Sequence, residues 1–411
     1  MTDSTARIVE PAGDGVPEYP MPRAADCPLD PPPRLRELQS EAPMTKVQLW
    51  DGSTVWLVTR YDDQRALLAD ARISSDPTRP HYPFVSAGEA ATQQIPTFIR
   101  MDDPDHARRR RMVTAPFSIK RVEALRPAVQ RIVHGLIDDM LAGPQPVDLV
   151  EAFALPVPSL VICTLLGVPY ADHGFFQANT RLLVKRTTPP DEALAAQQRL
   201  VDYLDRLVAE KMANPGSDLL TGLAGRVAAG ELSRQEAAAT GRLLLVAGHE
   251  TTANMIALGT LALLQNPDQL AELRNTDDPT VIAATVEELL RYLTIVHTGR
   301  RRVALADIDV GDETIRAGEG VILANELGNR DPAAFRDPDR LDIHRAARHH
   351  VAFGFGVHQC LGQPLARVEL QVVYGTLFRR VPTLQLAVDL DEIPFKHDGA
   401  VYGVYQLPVT W

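Results

Sequence analysis

The sequence predicts a mainly α-helical protein with minor β structure near both ends of the chain. Apolar residues recur at helical spacing through the middle of the chain, most clearly in 121–141. The pair Asp51-Gly52, between two short β-type segments, is a strong signal for an early hairpin turn. A second β-type region spans 302–323 and is divided by glycine-containing turns. Helices between two small β regions therefore form the expected architecture.

These patterns place the elements in chain order. The hairpin strands are expected at 47–50 and 53–58, and helices are predicted at 121–141, 199–212, 243–264 and 281–292, and from Pro364 to about Arg379. The segment 243–264 is apolar nearly all round, so it should be a buried central helix. Residues 1–33 are rich in proline and acidic residues and predict a flexible N-terminal arm. With no internal repeat or later linker, 34–411 is expected to form one domain.

The charge balance and the cysteine count restrict the class of protein. The chain of 411 residues has a net charge of −11, whereas general nucleic-acid binders usually present a basic face. Its three cysteines, Cys27, Cys163 and Cys360, do not suggest a disulfide framework and fit a reducing cytoplasm. No secretory signal is visible, and the apolar stretches are shorter than the ~20 residues that a membrane span needs. We expect a soluble, cytoplasmic protein that binds neither nucleic acid nor membranes.

The strongest chemical signal is the glycine-rich segment that leads to Cys360. Glycines permit a tight loop there, and Pro364 then opens a helical pattern, so Cys360 should lie at a helix N-terminus. Free N–H groups and the helix dipole favour an anion at that end. We therefore expect the Cys360 thiol to ionise easily and to act as a nucleophile or a metal ligand.

Cys360 has three other possible roles. A structural buried cysteine is the usual role of a lone cysteine, but it does not need a glycine loop. A zinc site could use His349, His350 and His358, but the spacing matches no standard zinc pattern. A cysteine hydrolase needs a paired base, and His358, two residues away in a loop, is poorly placed for that role.

Polar residues interrupt the predicted central helix at 247–252, where the sequence reads AGHETT. Burying polar groups costs free energy unless they are hydrogen-bonded, and such exceptions tend to mark function. Leu243, Ala247 and Thr251 recur at i, i+4 and i+8, so they share one helix face.

The motif F-x-x-G-x-x-x-C-x-G, formed by Phe353, Gly356, Cys360 and Gly362, resembles the haem-binding segment of the cytochrome P450 superfamily. Four further motifs occur in that family's order: H-x-x-x-R of His106 and Arg110, the central AGHETT, E-x-x-R of Glu288 and Arg291, and the region 329–340. The likeness covers the chain from about residue 30 onward and is closest to soluble actinomycete members that oxidise macrolides, sterol-like molecules and drugs. It implies a triangular-prism helical fold with small β-sheets, and haem b between the central helix and the cysteine loop.

The resemblance also assigns roles to residues. Cys360 would be the metal ligand, and Thr251 with Glu250 would form a catalytic proton relay on the opposite side of the haem. Other cofactor contacts would come from His106, Arg110, Arg302 and His358 at the propionates, from Phe353 and Gly356 in the loop, and from Ala247 and Gly248, which would leave room for dioxygen. The substrate pocket would be lined by Leu243, Ala247, Ile295 and Val296 and capped by 83–98.

The family likeness further implies partners and a fold-stabilising network. Glu288, Arg291 and Arg340 would form a buried charged network that serves folding. Electrons would come from a separate ferredoxin and ferredoxin reductase, whose docking the arginines at 108–111 would assist. The reaction would insert one atom of dioxygen into a bulky hydrophobic molecule. Alternatives are a peroxide-driven or dehydrating haem-thiolate enzyme, and a haem-binding sensor or carrier.

Overall fold

The computed structural model describes residues 15–42, 44–93 and 96–411. The first 14 residues of the expected N-terminal arm, and two residues of the expected cap at 83–98, lie outside the described residues. The described part is mainly helical, as predicted, with β structure in small sheets. None of its helices is both long and apolar enough to cross a membrane.

The helices occupy most of the middle of the chain. In order they are α1 Pro33–Glu41, α2 Tyr61–Ala69, α3 Ala87–Ala91, α4 Asp105–Thr114, α5 Ile119–Glu123, α6 Arg126–Ala142, α7 Pro156–Leu166, α8 His173–Val184, α9 Pro190–Ala213, α10 Leu219–Ala228, α11 Arg234–Leu264, α12 Pro267–Asn275, α13 Pro279–Leu293, α14 Asn325–Gly328 and α15 Gln363–Arg380. The predicted helix at 121–141 is divided into α5 and α6. Pro127, which lacks an N–H and suits a first helical turn, starts the second of them.

The strands form three small sheets. They are β1 Met44–Gln48, β2 Thr54–Val58, β3 Ile73–Ser74, β4 Val147–Asp148, β5 Arg300–Ala304, β6 Ile308–Val310, β7 Glu313–Ile315, β8 Gly320–Leu323, β9 Gln385–Leu386 and β10 Pro408–Thr410. The five-stranded sheet has the order β1-β2-β8-β5-β3, and β1 and β2 are the predicted hairpin. Gly52 has a φ of +82° in the hairpin turn. In this sheet β5, which carries three arginines, lies between β8 and β3.

The central helix α11 is longer than predicted and runs through the core. Its start escaped prediction because the first turns are polar, but Ser233 caps it through a reciprocal capping box with Glu236. Nearly every residue from Thr252 to Leu263 is buried. Close packing is needed there: a Cβ on Gly259 would lie 1.9 Å from the hydroxyl oxygen of Tyr374 on α15.

The expectation of a loose arm does not hold for 15–33. Tyr19 and Met21 are buried against residues of α1 and the five-stranded sheet, and the Tyr19 hydroxyl donates to the His297 carbonyl at 3.2 Å. Arg23 forms a buried ion pair with Glu326 at 2.6 Å. Apolar anchors and a buried pair hold this segment despite its proline content.

The charged network at α13 differs from the prediction in one member. Arg291 is fully buried and donates to both carboxylate oxygens of Glu288 at 2.7 Å. It also donates to the carbonyls of Asn329 and Pro338, each at 2.8 Å. The other basic side chain on Glu288 is that of Arg345, at 3.1 Å.

Arg340 is therefore not the basic partner that the sequence suggested. Its side chain is exposed, and only its carbonyl contributes, accepting from Arg291 at 3.4 Å. The turn that follows Pro338 directs the Arg340 side chain outward and leaves Arg345 to reach the carboxylate.

Candidate active site

The loop before α15 presents Cys360. The Cys360 N–H donates to the Phe353 carbonyl at 2.9 Å, which closes the loop on itself. Gly354 and Gly356 have φ angles of +72° and +70°, a region that disfavours other residues. A Cβ on Gly356 would also lie 2.4 Å from the Leu68 carbonyl oxygen. The glycines thus allow the loop to fold tightly against α2 with Cys360 at its end.

The surroundings of the Cys360 thiol act on its ionisation in opposite directions. Burial raises the pKa of the thiol, while Arg300, the backbone N–H groups of Gly362 and Gln363, and Arg110 lower it; burial outweighs them. In the protein alone these effects together favour the neutral thiol, against the expectation from the helix N-terminus. A thiol of this kind becomes a thiolate when it coordinates a metal ion.

The central helix is accessible at a few positions near its middle. Between Gly241 and Leu263 every residue is buried except Arg242, Leu243, Val246, Ala247, Gly248 and Thr251. Ala247 is exposed although it lies in the middle of the core helix, and the Thr251 hydroxyl donates to its carbonyl at 2.7 Å. The predicted face of Leu243, Ala247 and Thr251 is accessible at all three positions and is called the accessible stripe below, whereas Arg242 and Val246 lie on another face of the helix. Among the other pocket candidates, Val296 is partly accessible, whereas Ile295 is buried in the core.

Close packing between helices accounts for the glycine at position 248. A Cβ there would lie 2.8 Å from Cδ1 of Ile162 on α7. The missing side chain therefore allows α11 and α7 to pack closely, and the role predicted for Ala247 and Gly248 in leaving room for dioxygen stays a prediction.

Glu250 faces a different space from Thr251. It is 6% exposed, and one carboxylate oxygen lies 3.0 Å from Nζ of Lys396 and 3.2 Å from Nδ2 of Asn254. Burial would raise the pKa of this carboxyl, but Lys396, His249 and the hydrogen bonds together lower it, so Glu250 is ionised at neutral pH. It lines a cleft of about 360 Å³ together with residues of α8 and the segment Pro394–Gln406. The two predicted relay residues are therefore adjacent in sequence but point apart.

A basic cluster lies beside the cysteine loop. The rings of His106 and His358 are 4.1 Å apart, and His106 Nε2 and His358 Nδ1 are buried without a hydrogen-bond partner among the described residues. Burial, with Arg302, His106 and Arg110 nearby, lowers the pKa of His358 to about 3. Arg302 forms no ion pair within the described ranges, and burial, with the charges of Arg300 and Arg301, lowers its pKa to about 10. These four predicted residues are thus together, although Arg110 already donates to the Gln359 carbonyl at 2.6 Å.

Arg300 is a residue of this site that the sequence motifs did not indicate. It lies two residues before Arg302 on β5, so both side chains leave the strand on the same face. Its Nη2 donates to the Ala352 carbonyl at 3.1 Å, its Nε is buried without a partner within the described part of the chain, and its charge acts on Cys360. Side chains alternate between the two faces of a strand, so positions 300 and 302 share a face. This pattern could have indicated Arg300 from the sequence. Lys396 binds Glu250 across 146 positions of the chain, and no comparable pattern in the sequence indicates this contact.

The residues present fit a haem group. Haem needs an axial ligand and partners for two anionic propionates. The loop offers the Cys360 sulfur, and the cluster offers buried ring nitrogens and guanidinium groups that lack anionic partners among the described residues.

The histidines of the zinc alternative do not converge. The His349 ring stacks on Phe335 at 4.4 Å, His350 Nε2 lies 3.2 Å from Glu287, and His358 contacts His106. No group of three or more potential metal-ligating side chains of the usual kinds occurs in the described part of the chain.

Known proteins match this chain over nearly its whole length. The family described as Cytochrome P450 matches residues 34–384. The chain is 56% identical over 414 residues to Cytochrome P450 GfsF of Streptomyces halstedii and 47% identical to a vitamin D3 dihydroxylase of Streptomyces griseolus, with 100% of each chain covered in both cases. The crystal structure of the mycinamicin VIII C21 methyl hydroxylase MycCI from Micromonospora griseorubida superposes with a TM-score of 0.91 at 43% identity, covering 96% of this chain and 100% of that one. The predicted fold is confirmed, and the chain belongs to the cytochrome P450 family of haem-thiolate monooxygenases.

Proposed function

We propose that this P450 hydroxylates a bulky, largely apolar small molecule of macrolide-, steroid- or drug-like size, with electrons from a ferredoxin and its reductase. The observation that carries the proposal is the accessible stripe of α11, where Leu243 and Ala247 offer apolar surface next to the Thr251 hydroxyl. Apolar walls with a few polar groups are typical of sites for such molecules. Two relatives named above, a vitamin D3 dihydroxylase and a mycinamicin hydroxylase, act on bulky molecules of this kind.

The cofactor of this proposal is haem b, held by residues from three parts of the chain. When bound, haem with a thiolate ligand supplies the activation of dioxygen, of which one atom enters the substrate and the other leaves as water. Cys360 would ligate the iron, and Arg302, His106 and His358, with Arg110 beside them, would pair with the propionates. Phe353 and Gly356 maintain the conformation of the loop. The guanidinium carbon of Arg367 lies 4.7 Å from the centre of the Phe353 ring.

Two residues would take part in proton supply in this proposal. The Thr251 hydroxyl donates a hydrogen bond to the Ala247 carbonyl. The hydroxyl oxygen can therefore still accept a hydrogen bond from a water molecule in the internal space. Glu250, kept ionised by Lys396, can take protons from water in the cleft that it lines. Because the two side chains point apart, a bridging water or a rotation of Glu250 must connect them.

The ferredoxin would dock near the cysteine loop and α4. Of the arginines at 108–111, Arg109 pairs with Glu236 and Arg110 with the Gln359 carbonyl, whereas Arg108 and Arg111 are exposed. Val357 in the cysteine loop is also 58% exposed. An apolar contact flanked by cations suits an acidic protein partner.

Reconstitution tests the proposed function. The reduced, carbon-monoxide-bound protein should show the red-shifted Soret band of thiolate ligation, and Cys360→Ala should lose it. The control Cys163→Ala, a buried thiol whose pKa burial raises to about 12, should keep it. With a surrogate ferredoxin, its reductase and NADPH, the wild type should oxidise members of a panel of macrolides, steroids, vitamin D analogues and statins.

Other outcomes would decide for the alternatives. Turnover with hydrogen peroxide but not with ferredoxin would indicate a peroxide-driven enzyme. A stable haem protein that oxidises no member of the panel by either route would indicate a carrier or sensor. Retention of the band in Cys360→Ala would show that the ligand is misassigned.

A further inference from the structure

A buried carboxylate on α13, one position before Glu288, connects that helix to α15. Glu287 is 3% exposed, and its two oxygens accept from Nε and Nη2 of Arg367 at 2.6 and 2.9 Å. A carboxylate and a guanidinium joined by two parallel hydrogen bonds fix each other's position and orientation. Glu288, the next residue, binds Arg291 and Arg345 instead. The two adjacent carboxylates therefore hold different parts of the fold.

Arg367 contacts both ends of the cysteine loop. Its Nη1 donates to Oε1 of Gln363 at 2.6 Å, and its guanidinium carbon lies 4.7 Å from the centre of the Phe353 ring. Phe353 supplies the carbonyl that accepts the Cys360 N–H at 2.9 Å. Gln363 and Gly362 supply the backbone N–H groups that hydrogen-bond to the Cys360 sulfur. One guanidinium thus contacts a residue that holds the backbone of Cys360 and a residue that holds its sulfur.

Glu287 also lies against His350, at the start of the same loop. His350 Nδ1 accepts the Ala352 N–H at 3.1 Å, so the neutral ring carries its proton on Nε2, which lies 3.2 Å from Glu287. Burial would raise the pKa of the Glu287 carboxyl, but His350 and Arg367 lower it to about 2. Glu287 is therefore ionised at neutral pH and holds Arg367 as an ion pair.

Hydrogen bonds to a ligating sulfur withdraw electron density from it, and they are one means by which a protein sets the reduction potential of haem iron. Gln363 is the first residue of α15, and Arg367 lies one helical turn later. The side-chain bond between them therefore ties the first turn of the helix to the anchor on α13. Without that anchor, the N–H groups at the helix start would be held less firmly on the sulfur, which would then donate more electron density to ferric iron.

We infer that Glu287 is a positioning residue that holds Arg367 against Gln363 and Phe353, keeps the N–H groups directed at the Cys360 sulfur, and so raises the reduction potential of the haem. The inference goes beyond the proposed substrate and electron donor, and it rests on Cys360 as the haem ligand. The charge of Glu287 acts in the opposite direction, because a nearby carboxylate disfavours the electron that reduction adds. Positioning and charge therefore predict opposite shifts when the carboxylate is replaced by an amide.

Redox titration of the haem-loaded protein separates the two effects. Glu287→Gln should move the midpoint potential to a more negative value, equal to about a five-fold change in the ratio of ferrous to ferric haem at a fixed applied potential. Gln363→Met changes no charge and leaves the pair of Glu287 and Arg367 intact. It should shift the potential in the same direction by a smaller amount. Because both substitutions interrupt one chain of contacts, the double variant should shift it by less than the sum.

The control is a similar group of residues outside the cysteine loop. Glu123 accepts two hydrogen bonds from Arg126 at 2.8 and 2.9 Å, and Arg126 donates to Gln371 of α15 at 2.9 Å. Glu123→Gln removes the same charge and breaks the same kind of pair, and it should leave the potential unchanged.

A potential that rises or stays the same in haem-loaded Glu287→Gln would overturn the inference, and so would an unchanged potential in Gln363→Met. If Glu287→Gln did not retain haem, Gln363→Met would decide by itself. The thiolate band of the carbon-monoxide complex is recorded on the same samples. A normal band with a potential that does not fall contradicts the role of Glu287 alone, whereas a wild type without the band contradicts the proposed function.

Discussion

Two faces of the central helix carry different functional groups. Thr251 lies on the accessible stripe with its hydroxyl bonded to the Ala247 carbonyl, whereas Thr252 is 4% exposed and packs in the core. Glu250 is turned to Lys396 and the cleft. One helix therefore presents a hydroxyl to the internal space and a carboxylate to the other space, and each can be tested by itself.

Thr251→Ala should uncouple electron consumption from product formation. Alanine keeps the helix but removes the hydroxyl that is proposed to hold a water molecule. Haem binding, substrate binding and reduction by ferredoxin should persist, while product per NADPH falls and hydrogen peroxide rises. Thr252→Ala is the matched control and should change coupling less, because its side chain faces the core. Unchanged coupling in Thr251→Ala, or a greater loss in Thr252→Ala, would place the relay on another residue.

Lys396→Met should make stability depend on pH in a defined direction. In wild type Glu250 has a lowered pKa, so its contribution to stability is present above the unfolded value of 4.5 and is lost as pH falls through the folded value. Without Lys396, burial dominates and the pKa of Glu250 rises. At low pH the carboxyl is then neutral at little cost, but at high pH an unpaired buried charge must form.

The stability deficit of Lys396→Met should therefore grow as pH rises from about 5 to about 8, reaching roughly 3 kcal/mol. Urea unfolding at each pH gives the comparison with wild type. Lys185→Met serves as a control, since Lys185 is half-exposed and lies 3.4 Å from Asp398. A deficit that is constant with pH would mean that Lys396 does not control the charge of Glu250.

At the scale of elements, α11 and α13 show how buried charge is tolerated in a helical core. In α11, Thr251 lies on the accessible stripe, and the buried carboxylate of Glu250 lines the cleft and pairs with Lys396. In α13 no such space is needed, because the guanidinium of Arg291 donates to the Glu288 carboxylate and to backbone carbonyls of the following loops. The pair therefore ties α13 to the chain that leads toward the cysteine loop.

Arg291→Ala should reduce folding stability and haem retention before it affects chemistry. Removing one partner leaves Glu288 with Arg345 alone in the core, at a cost of roughly 3–5 kcal/mol. Chemical unfolding and haem content measure the effect. Arg340→Ala, whose side chain is exposed, should stay within about 0.5 kcal/mol of wild type. The network would be misassigned if Arg291→Ala were fully haem-loaded and as stable as wild type.

Across the whole molecule, charge is distributed unevenly. The chain carries a net charge of −11, yet exposed arginines of α4 remain near the cysteine loop. A local cationic surface on an acidic protein can orient an acidic electron donor during encounter. The proposed docking surface is thus a property of the assembled fold and not of the composition.

Charge reversal at Arg111 should weaken the encounter with ferredoxin. Arg111→Glu should raise the KM for a surrogate ferredoxin by about ten-fold at low salt, and the difference should shrink as salt is added. Substrate binding and the thiolate band should not change. Arg226→Glu, at a half-exposed position of α10 paired with Glu231, is the control. Equal effects of both reversals would indicate net charge, not a docking surface.

The sequence by itself determined the features that depend on near neighbours in the chain. The hairpin at Asp51-Gly52, the helical class, the central helix, the cysteine loop and the stripe of Leu243, Ala247 and Thr251 all follow from local periodicity and turn chemistry. The family motifs added the basic cluster, because their spacing is a property of the linear chain.

Only the tertiary structure decided which distant groups meet. Lys396 reaches Glu250, Arg345 takes the place predicted for Arg340, and Ile162 explains Gly248. Desolvation also acts against the expected ionisation of the Cys360 thiol. These outcomes depend on how side chains from separate elements are oriented and desolvated when they pack, and neither orientation nor desolvation is encoded by spacing along one segment.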